Sequence, residues 1–272
     1  MLEENLFTFV VYHTAISPSG IEVIGDIYDY NPAVKWKERW KKFERDFFPF
    51  AARYIEACFS SIRLVHQKCR LIVLTDEATP FDLPDYVQIV RYPLNPDTPA
   101  YMRLKAQLKY LEQADSFSHI IFLDYDMLVQ RSLSKICSEV FDVALTCQSS
   151  SGRIEGSFMM VHKNSIEKGI EFLKMIEACF KKHFSDYEAW GGVEASMNKL
   201  IAVTLPFPLQ GKLYAIGKVS VRVLSGYIYN YPFSSEDLIA GIEYLPSKVI
   251  LHFRGDIKPE MLNYFRIYLS NR

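Results

Sequence analysis

Two aspartates, Asp124 and Asp126, end the apolar run of the sequence IIFLDYDMLV, which starts at residue 120. A buried carboxylate without a partner is costly, so this pair should meet a cation. If the chain stays extended, both side chains project to one side with their Cα atoms about 7 Å apart. This spacing suits a Mg²⁺ or Mn²⁺ ion that also takes oxygens from a substrate diphosphate. The alternative is a solvated turn in which one aspartate caps the next segment.

A second set of candidate residues lies in HFRGDIKP, residues 252–259, directly after an apolar run. His252 could supply the nitrogen ligand that favours Mn²⁺ over Mg²⁺. Gly255 would let the backbone approach a phosphate, and Lys258 could neutralise diphosphate oxygens. A histidine beside a strand is usually structural, so the nearby lysine is what suggests an anion site.

The elements that must position these residues alternate between strands and helices. Apolar and β-branched runs predict strands that include residues 6–12, 69–77 and 86–93, together with the Asp-x-Asp strand, FDVALTC and GSFMMVHK. Apolar residues at three- and four-residue spacing predict helices at 35–48, 51–65, 101–113 and 165–184, and another helix starts in WGGVEASMNKLI. This alternation predicts an α/β fold with a mixed, mostly parallel sheet flanked by helices.

Ligands of such sheets bind outside the carboxyl ends of the strands. Three predicted strands carry polar residues at that end, and these residues are expected to line one crevice. They are Tyr12, His13 and Thr14 after the first strand, Asp76 after the second, and Asp124, Tyr125 and Asp126 after the third.

Composition limits the class of protein. The chain has 272 residues, 49% of them hydrophobic, which suits one large domain, and its net charge of -1 argues against nucleic acid as a partner. Its five cysteines form no Cys-x-x-Cys pair, which favours reduced thiols. The first residues lack a signal-peptide core, and no run reaches the roughly 18 apolar residues of a membrane span. We therefore expect a cytoplasmic protein whose first residues belong to the fold.

These motifs together resemble nucleotide-sugar glycosyltransferases of the GT-A fold, most closely the glycogenin and galactosyltransferase type of family 8. Residues 101–133 resemble the family's arginine-bearing helix, hydrophobic strand and Asp-x-Asp, and HFRGDIKP is similar to its His-Phe-x-Gly-x-x-Lys-Pro. The resemblance implies one GT-A domain over residues 1–272. Its nucleotide-binding half would be about 1–130, and residues 131–272 would bind the acceptor and complete the metal site.

The resemblance also implies roles for individual residues. Asp124, Asp126 and His252 would bind Mn²⁺ or Mg²⁺, Tyr12, His13 and Thr14 would edge the nucleotide base, and Arg103 and Lys258 would face the sugar diphosphate. Asp76 and Tyr125 complete the expected donor site. Two local alternatives stay open, because Arg103 could simply pair with a neighbouring carboxylate and His13 could simply cap a turn.

Two further segments concern the sugar. In RIEGSFMMVHK, Gly156 and Ser157 would lie beside the donor sugar, where small residues make room for a hexose; a tight turn entering a strand is the alternative. In WGGVEASMN, family 8 has Asp-Gln before an asparagine, whereas this chain has Val193 and Glu194 before Asn198. This stretch also resembles the Asp-Glu-Ser-x-Leu-Asn segment of family 6 retaining transferases.

Glu194 is therefore a candidate catalytic residue, together with Asp126. It could stabilise an oxocarbenium-like transition state or act as a nucleophile. An ordinary carboxylate in the first turn of a helix, favoured by the helix dipole, is the alternative.

The predicted function is transfer of a hexose from a UDP-glucose or UDP-galactose type of donor to an unknown acceptor, with retention at the anomeric carbon. One rival is a phosphohydrolase of the haloacid dehalogenase type, whose motif usually lies near the N-terminus and has Thr or Val where this chain has Leu128. A second rival is a non-catalytic nucleotide-sugar binder on the same fold. Aromatic residues in GYIYNYPF, 226–233, could serve an acceptor or the partner subunit of a homodimer.

Overall fold

The computed structural model describes residues 7–14, 51–96, 98–115, 117–148, 151–187, 191–202, 210–234, 236–237 and 244–270. The predicted helix at 35–48 lies outside these residues. The other predicted helices are found, and the bounds of 51–65 agree fully.

The strands are β1 Phe7–Tyr12, β2 Cys69–Thr75, β3 Val87–Arg91, β4 His119–Leu123, β5 Met127–Val129, β6 Val143–Cys147, β7 Ile154–Val161, β8 Leu213–Ile216, β9 Val219–Ser225, β10 Tyr231–Pro232 and β11 Ile250–His252. The helices are α1 Ala51–Val65, α2 Pro99–Gln113, α3 Ile166–His183, α4 Gly192–Ala202, α5 Gly226–Tyr229 and α6 Lys258–Tyr264, and a π-helical turn, Phe265–Leu269, follows α6.

The main sheet has eight strands in the order β3-β2-β1-β4-β7-β6-β9-β8. Strands β3, β2, β1 and β4 run parallel to one another, and so do β6 and β9. Strand β7 is antiparallel to both β4 and β6, and β8 is antiparallel to β9. The predicted mixed, mostly parallel sheet is confirmed. Because β2, β1 and β4 are adjacent and parallel, their carboxyl ends meet at one edge, as the sequence predicts.

Each face of the sheet is covered by its own apolar core. In β1, Phe7, Phe9 and Val11 face the core that includes α1 and α6, whereas Val10 faces the core that includes α2, α3 and α4. This two-residue alternation is the normal geometry of a strand. Each fully buried Leu, Ile or Phe stabilises such a layer by about 1.5–3 kcal/mol. The cores hold the strand ends rigidly in place.

A second, three-stranded sheet brings the end of the chain to the Asp-x-Asp. Strand β11 pairs with β10 and, antiparallel, with β5, so that His252 lies opposite Met127. The amide of Phe253 also donates to the carbonyl of Asp126 over 2.9 Å. Residues far apart in sequence are thereby placed side by side.

The Asp-x-Asp itself is not extended. Strand β4 ends at Leu123 and β5 begins at Met127, and the residues between them form a turn. The condition of an extended pair is not met, because the chain leaves the main sheet here to join the small one. The amide of Asp124 is held by the carbonyl of Ser157, 3.0 Å away.

The five cysteines are free thiols, as predicted. Within the described residues, no helix combines the length and the apolar character that crossing a membrane requires.

Candidate functional site

The side chains of Asp124, Asp126 and His252 form one cluster. Each offers a ligand atom, and these atoms lie within 4.8 Å of one another. Oδ1 of Asp126 is 3.2 Å from Nε2 of His252. Adjacent ligands of a six-coordinate ion of the Mg²⁺ class are about 3 Å apart. The cluster could therefore hold one hard divalent cation.

Asp126 is also held by Lys258, whose Nζ lies 2.9 Å from Oδ2. Both side chains are almost completely buried. Burial alone would raise the pKa of Asp126, but the charge of Lys258 holds it well below its usual range. Lys258 stays protonated for the matching reason, because Asp126 and Tyr125 raise its pKa against the effect of burial. The carboxylate is therefore ionised and ready to bind a cation.

Arg103 forms an ion pair with Asp124, its Nη1 lying 2.6 Å from Oδ1. A side chain on Gly156 would come within 3.0 Å of Nη2 of the same arginine. The guanidinium thus sits between β4 and β7, in the space where the sequence led us to expect the hexose. The sequence left open that Arg103 pairs with a neighbouring carboxylate. The structure shows such a pair, and its carboxylate, Asp124, is one of the candidate metal ligands.

The residues after β1 border the same edge. The Tyr12 and Thr14 hydroxyls are 3.4 Å apart, and burial raises the pKa of Tyr12. His13 is buried, and its ring meets that of Tyr125 edge-on at 5.1 Å. Burial and the charge of Lys258 lower the pKa of His13 to about 4. His13 is therefore neutral at pH 7 and can meet a ligand as an apolar or hydrogen-bonding ring.

Tyr125 separates the two aspartates and is partly buried. The Nζ of Lys258 lies 4.9 Å from the centre of its ring, within cation–π range. Burial raises the pKa of Tyr125, although Lys258 opposes that effect. Its ring links the predicted base edge at His13 to the metal cluster.

The carboxylate of Asp76 accepts hydrogen bonds from the loop that follows it. Its Oδ1 accepts hydrogen bonds from the amides of Ala78 and Thr79 at 2.6 and 2.7 Å, and its Oδ2 accepts from the Thr79 hydroxyl. Burial would raise the pKa of Asp76, but these bonds lower it. Arg91 donates to the backbone carbonyls of Asp76 and Thr79 and fixes the loop further. Asp76 lies at the predicted edge, with its carboxylate engaged locally.

Behind His252 lies a buried polar network that the sequence analysis missed. The Nδ1 of His252 is 2.9 Å from Oδ1 of Asn230, which has no exposed surface. The amide nitrogen of Asn230 lies within hydrogen-bond distance of side-chain oxygens of Thr146, Glu155 and Ser157, at 2.9, 2.5 and 2.8 Å. Ser157, predicted to lie beside the donor sugar, thus takes part in this network.

Glu155 is the charged centre of the network. Arg254 forms an ion pair with it at 2.7 Å, and Gln148 donates to the same carboxylate. Gly226 lets α5 approach this point, since a side chain there would come within 2.5 Å of the carbonyl of Cys147. The sequence offered one signal for each of the two missed residues. Glu155 is the single carboxylate within the apolar run of RIEGSFMMVHK, and Asn230 is the single amide among the aromatic residues of GYIYNYPF.

Glu194 is the third residue of α4 and is partly buried. The side chain of Asn198 fixes α4 against β7, because it both accepts from the amide of Ile154 and donates to its carbonyl. Burial raises the pKa of Glu194. Its carboxylate also lies within the electrostatic reach of charged groups of the site, namely Arg153, Glu155, Arg103 and Arg254.

Gly255 has a φ of +53°, in the left-handed region that favours glycine. Among the residues that the structure describes, none would come within 4 Å of a side chain at this position. The turn Gly255–Ile257 leads directly into α6, which Lys258 begins.

The structure therefore brings the predicted metal ligands together with Arg103, Lys258, Tyr125 and His13. Gly156 and Ser157 lie behind them on β7, and Glu194 lies within electrostatic reach. Asp76 is the predicted residue whose side chain is most fully committed elsewhere.

Neither a protein family nor a curated protein matches the sequence. Solved structures do match. The apo form of glycosyltransferase GlyE from Streptococcus pneumoniae TIGR4 is 12% identical, with a TM-score of 0.52 over 97% of this chain and 61% of GlyE. Galactosyltransferase LgtC, solved with donor and acceptor sugar analogs, is 11% identical, with a TM-score of 0.52 over 97% of this chain and 98% of LgtC.

A third match is a glycosyltransferase involved in glycosylation of the major capsid of PBCV-1, with 11% identity, a TM-score of 0.50 and coverage of 96% of this chain and 100% of that protein. The chain thus spans less than two thirds of GlyE and nearly all of the other two. At this identity the likeness concerns the fold. The mixed eight-stranded sheet, with the Asp-x-Asp after β4, is the GT-A fold of glycosyltransferases.

Proposed function

We propose that this chain is a metal-dependent glycosyltransferase that moves a hexose from a nucleotide diphosphate sugar of the UDP-glucose or UDP-galactose type. The observation that carries the proposal is the cluster of Asp124, Asp126 and His252 at the carboxyl edge of the parallel strands. Two carboxylates and one imidazole at this position suit a cation that is shared with a diphosphate. LgtC, which has the same fold, was solved with donor and acceptor sugar analogs.

The divalent cation would supply charge stabilisation for the diphosphate that leaves with the nucleotide. The protein's own cations would add to it. Arg103 lies at the rim of the cluster, where its guanidinium can exchange Asp124 for a diphosphate oxygen. Lys258 is buried against Asp126 and keeps that carboxylate ionised, so its contribution reaches the donor both directly and through Asp126.

The base of the donor would lie against the residues that follow β1. Tyr12, His13 and Thr14 are adjacent to the cluster through Tyr125, and a neutral His13 can contact a uracil without charge repulsion. The sugar would then extend toward β7 and α4. Glu194 is the carboxylate expected there, and we propose that it stabilises positive charge on the reacting sugar carbon. This arrangement favours retention at the anomeric carbon.

The phosphohydrolase alternative is not favoured, because the solved structures that match are glycosyltransferases. The non-catalytic binder differs from the enzyme only in turnover. Hydrolysis of the donor without an acceptor therefore separates them.

The first test is thermal unfolding with a panel of nucleotides and nucleotide sugars, with and without Mn²⁺. A ligand at 100 times its Kd should add about 2.7 kcal/mol to the unfolding free energy. We expect UDP and a UDP-hexose to stabilise the protein only with the metal. The proposal fails if no nucleoside diphosphate does so.

The second test is Mn²⁺-dependent release of UDP from the same donors, compared between the wild type and Asp124→Asn. A matched control is Asp115→Asn, because Asp115 also pairs with an arginine, Arg70, but at the opposite end of the sheet. The control should keep the wild-type rate. Donor binding without any turnover would favour the non-catalytic binder.

A further inference from the structure

The orientation of the Asn230 side chain is fixed by its neighbours. Its Nδ2 lies 2.5 Å from a carboxylate oxygen of Glu155, and an ionised carboxylate can only accept a hydrogen bond. The hydroxyls of Thr146 and Ser157, at 2.9 and 2.8 Å, complete the surroundings of the amide nitrogen. The amide group therefore cannot be reversed, and Oδ1 must face His252.

An oxygen that faces His252 determines which ring nitrogen carries the proton. Oδ1 of Asn230 accepts, so the Nδ1 of His252, 2.9 Å away, must donate. In the neutral ring Nε2 then carries a lone pair. That nitrogen points toward Oδ1 of Asp126, 3.2 Å away, and the contact is favourable only when a cation or a proton lies between the two atoms.

One contact competes with this assignment. The Nε of Arg254 lies 3.0 Å from the same Nδ1 and would need a lone pair there. The two contacts exclude each other, since a single nitrogen cannot donate to one partner and accept from the other. Arg254 is more than one third exposed and has Glu155 as a second partner, so water can satisfy its Nε. Asn230 is fully buried and water cannot replace His252, so the contact with Asn230 prevails.

We propose that Asn230 is a positioning residue that fixes His252 as the tautomer able to bind a divalent cation through Nε2, and that Glu155 in turn fixes Asn230. This proposal rests on the metal site of the proposed function. Outer partners that orient a histidine ligand commonly change metal affinity by about 10- to 100-fold. Neither Asn230 nor Glu155 needs to touch the metal or the donor for this effect.

The test uses the full chain with Mn²⁺ alone, without donor or acceptor. Asn230→Leu keeps the approximate volume and removes the contact of Oδ1 with His252 as well as those of the amide nitrogen. We expect its Kd for Mn²⁺, measured by electron paramagnetic resonance of the free ion, to rise at least tenfold. Thr146→Val is the matched control, since it removes one buried acceptor of the same amide and leaves the contact with His252. Its Kd should stay within about twofold of the wild type.

The second measurement is the ¹⁵N spectrum of the labelled imidazoles in the metal-free protein, with the His252 signals identified by their loss in His252→Gln. The wild type should show a protonated Nδ1. Should Asn230→Leu fail to fold, Glu155→Gln serves instead, because glutamine can donate to Asn230 and allow its amide to reverse. We then expect the proton to move to Nε2 and the Mn²⁺ affinity to fall.

Wild-type Mn²⁺ affinity and an unchanged His252 tautomer in both Asn230→Leu and Glu155→Gln would overturn the positioning role while leaving the proposed function intact. If the wild type binds no Mn²⁺, the proposed function fails. The ¹⁵N spectra of the metal-free protein then still decide whether Asn230 sets the tautomer, so the two failures can be told apart.

Discussion

The ammonium group of Lys258 lies 2.9 Å from Oδ2 of Asp126, and protein surrounds both groups almost completely. Removing one partner of a buried ion pair strongly destabilises the folded protein, because the other charge stays buried. Asp126 therefore has a structural partner in addition to its proposed metal. The two candidate metal aspartates should consequently respond differently to substitution.

Asp124→Asn and Asp126→Asn should both abolish metal-dependent turnover, because each removes a ligand. Asp126→Asn should also lower the unfolding free energy by about 3–5 kcal/mol, since it removes the carboxylate that neutralises the buried ammonium group of Lys258. Asp124→Asn should lower it by less than about 1 kcal/mol, because the pair with Arg103 is partly exposed. Urea denaturation and the release of UDP measure the two effects.

The double variant Asp126→Asn with Lys258→Met separates the two losses. It also removes the buried ammonium group that Asp126 neutralised, so stability should return toward the wild-type value while turnover stays absent. Full activity in Asp124→Asn would contradict the metal site.

Lys258→Ala should weaken donor binding and folding together. From the sequence we expected the loss of donor affinity to be the larger effect, and the buried ion pair now adds a stability cost of about 3 kcal/mol or more. Calorimetric titration with UDP and Mn²⁺ measures the first effect, and urea denaturation without ligand measures the second. Lys105→Ala removes a lysine from a more exposed ion pair and serves as the control. Unchanged donor affinity in Lys258→Ala would count against a role in binding the diphosphate.

Glu194→Gln should lower the turnover number by about 100-fold or more if its charge stabilises the reacting sugar, while donor affinity stays close to wild type. Steady-state kinetics with a UDP-hexose measures both. Glu167→Gln is the matched control, because Glu167 is the acidic residue in the first turn of α3, away from the cluster. If both variants keep full turnover and their unfolding free energies fall by the same few tenths of a kcal/mol, Glu194 acts only through its interaction with the helix dipole.

Glu177 should make stability depend on pH. Burial would raise its pKa, but hydrogen bonds from Lys181, Lys105 and Tyr101 lower it from 4.5 to about 2. Because the pKa of Glu177 is lower in the folded state, its ionised form stabilises the fold. This stabilisation is complete above about pH 5 and is lost as pH falls from 4.5 to 2. Glu177→Gln should cost about 1 kcal/mol at pH 7, reduced by solvent screening, and nothing near pH 2.

Urea denaturation of both proteins between pH 7 and the lowest pH at which they fold gives the difference curve. A difference that does not shrink with falling pH would show that the loss comes from packing and not from the charge.

Much of the fold followed from local pattern. The residue alternation of β1 and the apolar spacing of α2 depend on neighbours a few positions away, and the sequence displays these directly. The turn between Asp124 and Asp126 could not be read in this way, because it depends on β5 leaving the main sheet to pair with a strand from the far end of the chain.

The candidate site could also be predicted only in part from the sequence. Motif residues with obvious chemistry, such as His252 and Lys258, were found from the sequence. Asn230 and Glu155 were missed because their importance comes from being buried against each other, and burial is a property of the tertiary structure. The position of Arg103 over Gly156 has the same origin.

The pairing of β5 with β11 has a consequence for how the chain acquires its activity. Almost half of the sequence separates Asp126 from His252, and loop-closure entropy makes contacts of such long range slow to form. A nascent or shortened chain can complete the Asp-x-Asp strand and still lack the imidazole. The proposed metal would then bind late in folding. Once bound between the turn before β5 and His252 of β11, it would slow the separation of these two strands during unfolding.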